Sequence, residues 1–174
     1  MSQAWSQLQD VDRLCNGLID VEFAIPLSAF PRLPQQPDNL DTQVQGLAQF
    51  RREGGFAVAD LALRGSVQLT CQRCLAPMRV PVDGTARIAL VASEAEAASV
   101  PADFEPVRTQ EGRIRVRDLV EEELLLALPI VALHASSGEC APQAQAAGID
   151  LEAEAALEDG LQKPFANLGE LLKR

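Results

Sequence analysis

Four side chains in this sequence could bind a metal ion or react as thiolates. Cys71 and Cys74 form a C-x-x-C pattern, and His134 and Cys140 follow later in the chain. Two thiolates at this spacing can hold one tetrahedral zinc ion, because a tight turn presents both sulfurs to the same point. The single histidine and Cys140 could supply the other two ligands if the fold returned residue 134 to that turn. The sequence therefore predicts a zinc site formed by Cys71, Cys74, His134 and Cys140.

Free thiols and redox chemistry are the alternatives for the cysteine pair. A thioredoxin-like C-x-x-C opens a helix within a β-α-β unit. Cys71 and Cys74 instead lie between two strand-like runs, which disfavours that redox motif. Unliganded thiols at a turn, with His134 as an ordinary residue after a helix, fit the same pattern.

Catalysis by other routes finds little support in the sequence. One histidine and no G-x-S-x-G pattern give no basis for a nucleophilic triad. The glutamates at 121–123 are typical of a solvated helix face rather than an acid–base pair. No phosphate-binding loop or dinucleotide fingerprint occurs. We therefore predict a protein that is not an enzyme and has no small-molecule substrate.

The elements that would position the cysteines are strands. Alternating apolar residues predict strands over 18–25, 42–51 and 56–71, the last with a glycine kink or bulge at Gly65. Gly54-Gly55 is a strong turn signal between two of them. Two further alternating runs, 78–82 and 85–92, follow the cysteines. These runs predict an antiparallel meander of three or four strands with the C-x-x-C pair at one hairpin tip.

One amphipathic helix follows the meander. Residues 116–128 combine an apolar stripe with acidic residues near the helix start, and Pro129 ends the helix. Residues 93–106 are predicted to form a solvated loop. The fold class is therefore α+β. We predict an N-terminal arm at 1–17, an α+β domain at 18–134, and an acidic flexible segment at 135–174 that ends in a short helical docking tail.

The expected compartment follows from two signals that the sequence does not show, a membrane span and a signal peptide. The longest apolar stretch is far short of the roughly 20 residues that span a bilayer, and the first residues do not resemble a signal peptide. We expect a cytoplasmic protein with no membrane partner. Its four cysteines are then expected to be thiols or metal ligands rather than disulfides.

Net charge is −10, but the charge is unevenly distributed. Residues 49–92 carry six arginines and three acidic residues, whereas residues 93–174 carry seven basic and sixteen acidic residues. Phosphates repel so acidic a chain, so any RNA contact should use the middle segment, and contact through a protein partner is more economical. Alternatively, its arginines keep an exposed sheet face soluble. The candidate contacts to RNA or an acidic protein are Arg51, Arg52, Arg64, Arg73, Arg79 and Arg87.

Three motifs, in this order, point to a known family. L-T-C-Q-R-C-L occupies 69–75, V-E-E-E-L-L-L-A-L-P-I occupies 120–130, and K-P-F-A-N-L occupies 163–168. Together with His134 and Cys140 they resemble the YceD family, the large ribosomal RNA subunit accumulation proteins. The resemblance covers residues 18–174. By their positions in these motifs, the residues singled out are Cys71, Arg73, Cys74, Glu122, Leu128, Pro129 and Phe165.

The resemblance implies a non-enzymatic role in the synthesis, processing or stability of large-subunit (23S) ribosomal RNA in the bacterial cytoplasm. The partner would be that RNA or a ribosome-assembly protein. Many relatives carry a second cysteine pair where this chain has His134 and Cys140, so the family pattern does not itself supply these two ligands. The alternative is a small thiol-redox or zinc-binding protein centred on the C-x-x-C pair.

Overall fold

The computed structural model describes residues 4–34, 43–136 and 139–140. Its main sheet contains β2 (Asp20–Pro26), β3 (Gln43–Glu53), β4 (Phe56–Thr70), β5 (Pro77–Val91) and β6 (Glu105–Arg108), in that spatial order. The first four strands pair antiparallel with their sequence neighbours, as predicted for a meander. β6 adds a parallel strand at the edge, so the sheet is mixed. The predicted α+β class is confirmed.

Shorter elements flank the sheet. β1 (Gln9–Asp10) pairs with β7 (Arg113–Ile114), and between them in sequence come the short helices α1 (Val11–Asn16) and α2 (Glu94–Ala97). 3-10 turns occur at Ala4–Ser6 and Leu27–Ala29. α2 and the first two residues of β6 lie in the stretch 93–106, which is exposed or half-buried as predicted but is not a loop throughout. These elements were missed because each has seven residues or fewer, too short for a periodic signal.

Alternation of side chains gives the sheet one buried face. In β2, Val21, Phe23 and Ile25 are buried, whereas the residues between them are exposed. α1 and the longer helix α3 (Val116–Ala127) pack on this apolar face, and Leu14, Val120 and other buried residues join it in one core. The turn between β3 and β4 uses Gly54 and Gly55, both with positive φ, as a two-residue hairpin requires.

β4 and β5 are each continuous over 15 residues. The predicted bulge at Gly65 is wrong, because the pairing runs without interruption through Gly65 opposite Val82. The glycine instead allows a close approach of β3: a Cβ atom there would lie 3.1 Å from the carbonyl oxygen of Gln43. The two predicted runs 78–82 and 85–92 are likewise one strand.

The β4–β5 pair is longer than the rest of the sheet. β3 pairs with β4 only as far as Gln45 opposite Arg64, whereas β4 and β5 stay paired to Thr70 opposite Pro77. Residues 64–70 and 77–83 therefore form a two-stranded ribbon, here called the arm. Residues 71–76, which contain both cysteines of the C-x-x-C pair, connect its strands and are called the tip turn.

α3 confirms the predicted helix to within one residue. Leu128 is extended, with φ −74° and ψ 141°, because a residue before proline disfavours the helical region. Among the described residues, no helix has the length and apolar character needed to cross a membrane. The chain after α3 then runs from Pro129 towards the tip turn. All elements so far described belong to one compact unit, Met1–His134.

The prediction of a solvated face for 121–123 is wrong for Glu121, which is only 4% exposed. Its carboxylate accepts a 2.8 Å hydrogen bond from the backbone N–H of Arg32 and lies 3.4 Å from the Arg32 side chain. Arg32 also pairs with Glu122 at 2.8 Å. A buried carboxylate is retained where it is hydrogen-bonded, and here it joins the loop after β2 to α3.

Replacing Glu121 should destabilise the fold. We expect Glu121→Ala to lower the free energy of unfolding by about 1–3 kcal/mol, because the backbone N–H of Arg32 loses its acceptor in a partly buried hydrogen bond. Glu121→Gln keeps an oxygen acceptor and should cost less. Glu122→Ala removes only an exposed ion pair and should cost at most about 1 kcal/mol. Urea unfolding of the three variants checks this, and equal losses for Glu121→Ala and Glu122→Ala would contradict the assigned role.

Candidate metal centre

The tip turn is closed by its own backbone. The N–H of Cys71 donates to the carbonyl of Ala76, and the N–H of Leu75 donates to the carbonyl of Cys71, both at 2.9 Å. Leu75 takes a left-handed conformation with φ +59°. This tight turn keeps both cysteines of the C-x-x-C pair buried. Both sulfurs are therefore positioned by a few local hydrogen bonds.

The chain after α3 lies against this turn. The N–H of Gln72 donates to the carbonyl of Ala132 at 2.8 Å, and the Arg73 guanidinium reaches the carbonyl of His134 at 3.4 Å. Nδ1 of His134 consequently lies 3.5 Å from Sγ of Cys74. The fold thus returns residue 134 to the C-x-x-C pair, which the zinc prediction required.

The four predicted ligands meet in one cluster. The ligand atoms of Cys71, Cys74, His134 and Cys140 all lie within 4.8 Å of one another. Ideal tetrahedral zinc would place two sulfurs ~3.8 Å apart and a sulfur and an imidazole nitrogen ~3.5 Å apart. The distance between Sγ of Cys74 and Nδ1 of His134, 3.5 Å, already matches the sulfur–nitrogen value. The arrangement is a three-cysteine, one-histidine cluster that could hold a metal ion.

The electrostatic environment favours a thiolate at Cys71. Burial raises the pKa of this thiol, but hydrogen bonds from the backbone of Cys74, His134 and Arg73 outweigh it and lower the pKa to about 5. Metals bind the thiolate rather than the thiol. One ligand of the cluster is therefore already ionised at neutral pH.

The cysteines are free of disulfides, as expected. Cys15 lies apart from the cluster, buried in α1, where burial raises the pKa of its thiol. No helix starts at the tip turn, which lies between two strands. A reactive redox thiol is accessible and often opens a helix, whereas Cys71 is fully buried. The geometry therefore favours metal binding over thiol redox chemistry.

The predicted arginine contacts separate into two groups. In the first group the guanidinium groups meet carboxylates: Arg51 pairs with Glu53 and Asp60, and Arg52 pairs with Asp12. Arg87 pairs with Glu53 at 2.9 Å and also stacks on the ring of Phe104 at 4.4 Å. These three charges are largely neutralised within the protein.

The second group lies on the arm. Arg64 and Arg79 are exposed, and neither makes an ion pair with any residue that the structure describes. Arg73 is exposed in the tip turn. No Asp or Glu occurs from residue 61 to residue 82. The six arginines therefore do not form one uniform patch. Arg64 and Arg79, which make no ion pair in the described part of the chain, both lie on the arm, whose one acidic residue is Asp83 opposite Arg64.

The remaining motif residues have structural surroundings. Glu122 pairs with Arg32, and Leu128 packs against the core beside Pro129. Phe165 and the predicted docking tail lie outside the described residues, as does most of 135–174. The sequence analysis missed the exposed apolar side chains of Leu75 in the tip turn and of Ile130 after α3. For Ile130 the uncharged stretch after the helix was the available signal.

The fold and the cluster define a small α+β protein with a candidate metal centre at the end of a β-ribbon. The sequence profile described as "Large ribosomal RNA subunit accumulation protein YceD" matches residues 59–172. A protein of Haemophilus influenzae with the same description is 34% identical over 120 residues, which cover 66% of this chain and 67% of that protein. No solved structure matches the chain. The chain belongs to the YceD family.

The low pKa of Cys71 can be measured in the metal-free protein. We expect one thiol to titrate near pH 5 in the ultraviolet thiolate absorbance. Cys71→Ser should abolish this step, and Cys15→Ser should leave it in place. Because the folded pKa lies below the unfolded value of about 8.5, the thiolate should stabilise the fold increasingly from pH 5 to that value. Titration of every thiol above pH 8 would rule out this environment.

Proposed function

We propose that this protein is a non-enzymatic accessory factor for the accumulation of large-subunit (23S) ribosomal RNA, and that it contacts this RNA through the arm. The relative in Haemophilus influenzae carries a name that describes such a role. The observation that carries the proposal is the exposure of Arg64 and Arg79, neither of them in an ion pair that the structure describes, on a ribbon whose one acidic residue is Asp83.

The positions of the two arginines suit a nucleic-acid backbone. Arg64 lies opposite Asp83, and Arg79 lies opposite Gln68, so both belong to the sheet face that bears exposed residues. The cross-strand pair that contains Arg64 and the pair that contains Arg79 are four residues apart, or ~13 Å along the ribbon. Contacts of arginine with phosphate fix a protein on RNA without reading its sequence. The arm could therefore follow the shape of an RNA element.

The rest of the molecule would limit this contact. A net charge of −10 repels phosphates over most of the surface. Arg51, Arg52 and Arg87 are held by carboxylates and contribute little positive field. Binding confined to the arm would be weak on arbitrary RNA, which is useful for a factor working among abundant RNA.

We further propose that the cluster binds Zn²⁺ as a structural ion. Three thiolates and one imidazole form a closed four-ligand set, which leaves no position for water or substrate. The residues Cys71 and Cys74 come from the tip turn, and His134 comes from the chain after α3. A metal would therefore fix the end of the arm to the segment that follows the helix, and would take no part in chemistry.

Zinc binding predicts a specific pattern among cysteine variants. We expect one zinc per chain by elemental analysis, and about 2.7 kcal/mol of stabilisation at a free zinc concentration 100-fold above Kd. Cys71→Ser and Cys74→Ser should lose the metal and this gain in melting temperature. Cys15→Ser is the matched control and should retain both. Retained zinc in Cys74→Ser would contradict the ligand assignment.

The arm contact predicts a difference between two pairs of charge-neutralising variants. Arg64→Gln with Arg79→Gln should weaken binding to 23S ribosomal RNA fragments. It should also make the slope of log K against log salt less steep by about two, because two phosphate contacts are lost. In depleted cells this variant should restore fewer large subunits on sucrose gradients than the wild type does.

The control pair removes the same charge elsewhere. Arg52→Gln with Arg87→Gln should bind RNA and restore large subunits almost as the wild type does, because carboxylates already neutralise these arginines. Equal effects of the two pairs would contradict the arm contact. Loss of large subunits without loss of RNA affinity would indicate that the arm acts through a protein instead.

A further inference from the structure

A second group of arginines lies at the opposite end of the sheet from the arm. Arg108 ends β6, Arg113 begins β7, and Arg115 is the N-cap residue of α3. All three line one cavity of about 190 Å³, here called the arginine pocket. Arg108 pairs with Val91 on β5, which is twelve residues along that strand from Arg79, or ~40 Å. The arginine pocket is therefore separate from the arm.

A tight turn fixes the backbone on one side of the arginine pocket. Gln110 and Arg113 exchange two backbone hydrogen bonds, of 2.9 and 3.0 Å, across Glu111 and Gly112. Glu111 and Gly112 both have a positive φ, as a type I′ turn requires. The N–H of Val11 also donates to the carbonyl of Gly112 at 2.9 Å. Gln110 and Arg113, which both line the pocket, are therefore held side by side.

The two acidic residues that line the arginine pocket are paired with arginines from outside it. Asp118 accepts hydrogen bonds at 2.8 and 3.0 Å from the guanidinium of Arg117, whereas Arg115 lies 3.7 Å from its other oxygen. Glu122 pairs with Arg32 at 2.8 Å. Neither Arg117 nor Arg32 is among the described residues that line the pocket. The negative charge of the pocket wall is therefore largely offset without its own arginines.

Arg108 and Arg113 carry charges that no ion pair offsets in the described part of the chain. Both residues are exposed, and neither makes an ion pair there. Asp10 lies opposite Arg113 across β1 and β7, but its carboxylate accepts the N–H of Arg13 at 2.8 Å instead. Glu111 is exposed in the turn and does not line the pocket. The arginine pocket therefore keeps an excess of positive charge.

The size and the donors of the arginine pocket fit a phosphate group. A volume of about 190 Å³ is below the ~300 Å³ at which whole small molecules are usually enclosed. Guanidinium groups bind phosphate oxygens through paired, charge-assisted hydrogen bonds. The three arginines come from three different elements, which suits the three oxygens of a phosphate better than the two oxygens of a carboxylate. The dipole of α3, whose first turn lies beside the pocket, also favours an anion.

We propose that the arginine pocket binds a phosphate group, with Arg108 and Arg113 as its main contacts and Arg115 as the third. The phosphate belongs either to an RNA chain or to a small phosphorylated molecule, because both present the same oxygens. An RNA phosphate would deepen the proposed function, since it would add a second anchor at the end of the sheet opposite the arm. Phosphate binding itself does not depend on the arm contact.

Arginine side-chain NMR signals can follow phosphate binding in the full-length protein. At constant ionic strength, inorganic phosphate should shift the Nε–H signals of Arg108, Arg113 and Arg115 along a saturating curve. Potassium chloride at the same ionic strength should not produce this curve. Arg108→Gln with Arg113→Gln should weaken phosphate affinity, measured at Arg115, by about tenfold. This variant should melt like the wild type, because neither arginine makes an ion pair in the described structure.

The matched control removes the same charge elsewhere. Arg52→Gln with Arg87→Gln should bind phosphate like the wild type, because both arginines lie outside the arginine pocket and pair with carboxylates. Arg108→Lys with Arg113→Lys keeps both charges but loses the planar donors. Its phosphate affinity should fall between those of the wild type and the glutamine pair, which a general loss of fold would not produce.

An RNA titration then identifies the source of the phosphate. If RNA supplies it, Arg108→Gln with Arg113→Gln should bind a 23S ribosomal RNA fragment more weakly, with a slope of log K against log salt less steep by about two. Unchanged RNA affinity together with lost inorganic phosphate binding would assign the arginine pocket to a small phosphorylated molecule. Both outcomes support the pocket. Failure of the arm contact would instead appear as unchanged RNA affinity in Arg64→Gln with Arg79→Gln.

Three results would overturn the proposal. Arginine signals that shift linearly with phosphate, or equally with chloride, would show nonspecific attraction only. Equal phosphate affinity of the glutamine pair at 108 and 113 and the control pair at 52 and 87 would place any binding elsewhere. Wild-type affinity in Arg108→Lys with Arg113→Lys would mean that general positive charge, rather than the arginine donors of this pocket, attracts the anion.

Discussion

The arrangement depends on one long-range contact, in which residues 132–134 lie along residues 72–74. A chain segment of about 60 residues must be closed to form it, and loop closure costs entropy. The hydrogen bond from Gln72 to Ala132 and the approach of His134 to Cys74 offset part of that cost. The end of α3 at Leu128 makes the contact sterically accessible, because Pro129 turns the chain out of the helix. Helix termination is thus as important to the cluster as the cysteines themselves.

The parts that the sequence could predict are those with local causes. Gly54-Gly55 specifies a tight hairpin, and Pro129 limits α3 regardless of what surrounds it. Metal-binding residue types likewise identified Cys71, Cys74, His134 and Cys140 before their positions were known. The burial of Glu121, in contrast, could not be predicted from local sequence. Three consecutive glutamates indicate a solvated face, and only the loop that carries Arg32, 89 residues away, makes one of them a buried acceptor. The parallel pairing of β6 is another tertiary effect without a local signal.

The arginines also show which features the sequence can predict and which depend on tertiary contacts. The sequence presents six of them as one basic segment, but register and turns decide which are neutralised. Asp60 lies directly opposite Arg87 across β4 and β5, and Asp12 reaches Arg52 from α1. Beyond the end of β3 the arm carries one acidic residue, Asp83, which lies opposite Arg64 but makes no ion pair with it. Ion pairs of this exposed kind add little stability. Their effect is instead to offset the charges of Arg51, Arg52 and Arg87, which leaves Arg64 and Arg79 outside any ion pair that the structure describes.

The arm and the cluster share the tip turn. The arm ends in that turn, and His134 lies against it from the segment after α3. A metal ion bound at the cluster would therefore also hold the end of the arm. The same ion would keep Cys71 and Cys74 in place and would hold the exposed Leu75 beside them in its left-handed conformation. Backbone strain persists where its surroundings are over-determined, and four ligands with two chain segments provide that determination. A metal-free turn would lose this constraint, and its strained residue would be the first part free to relax.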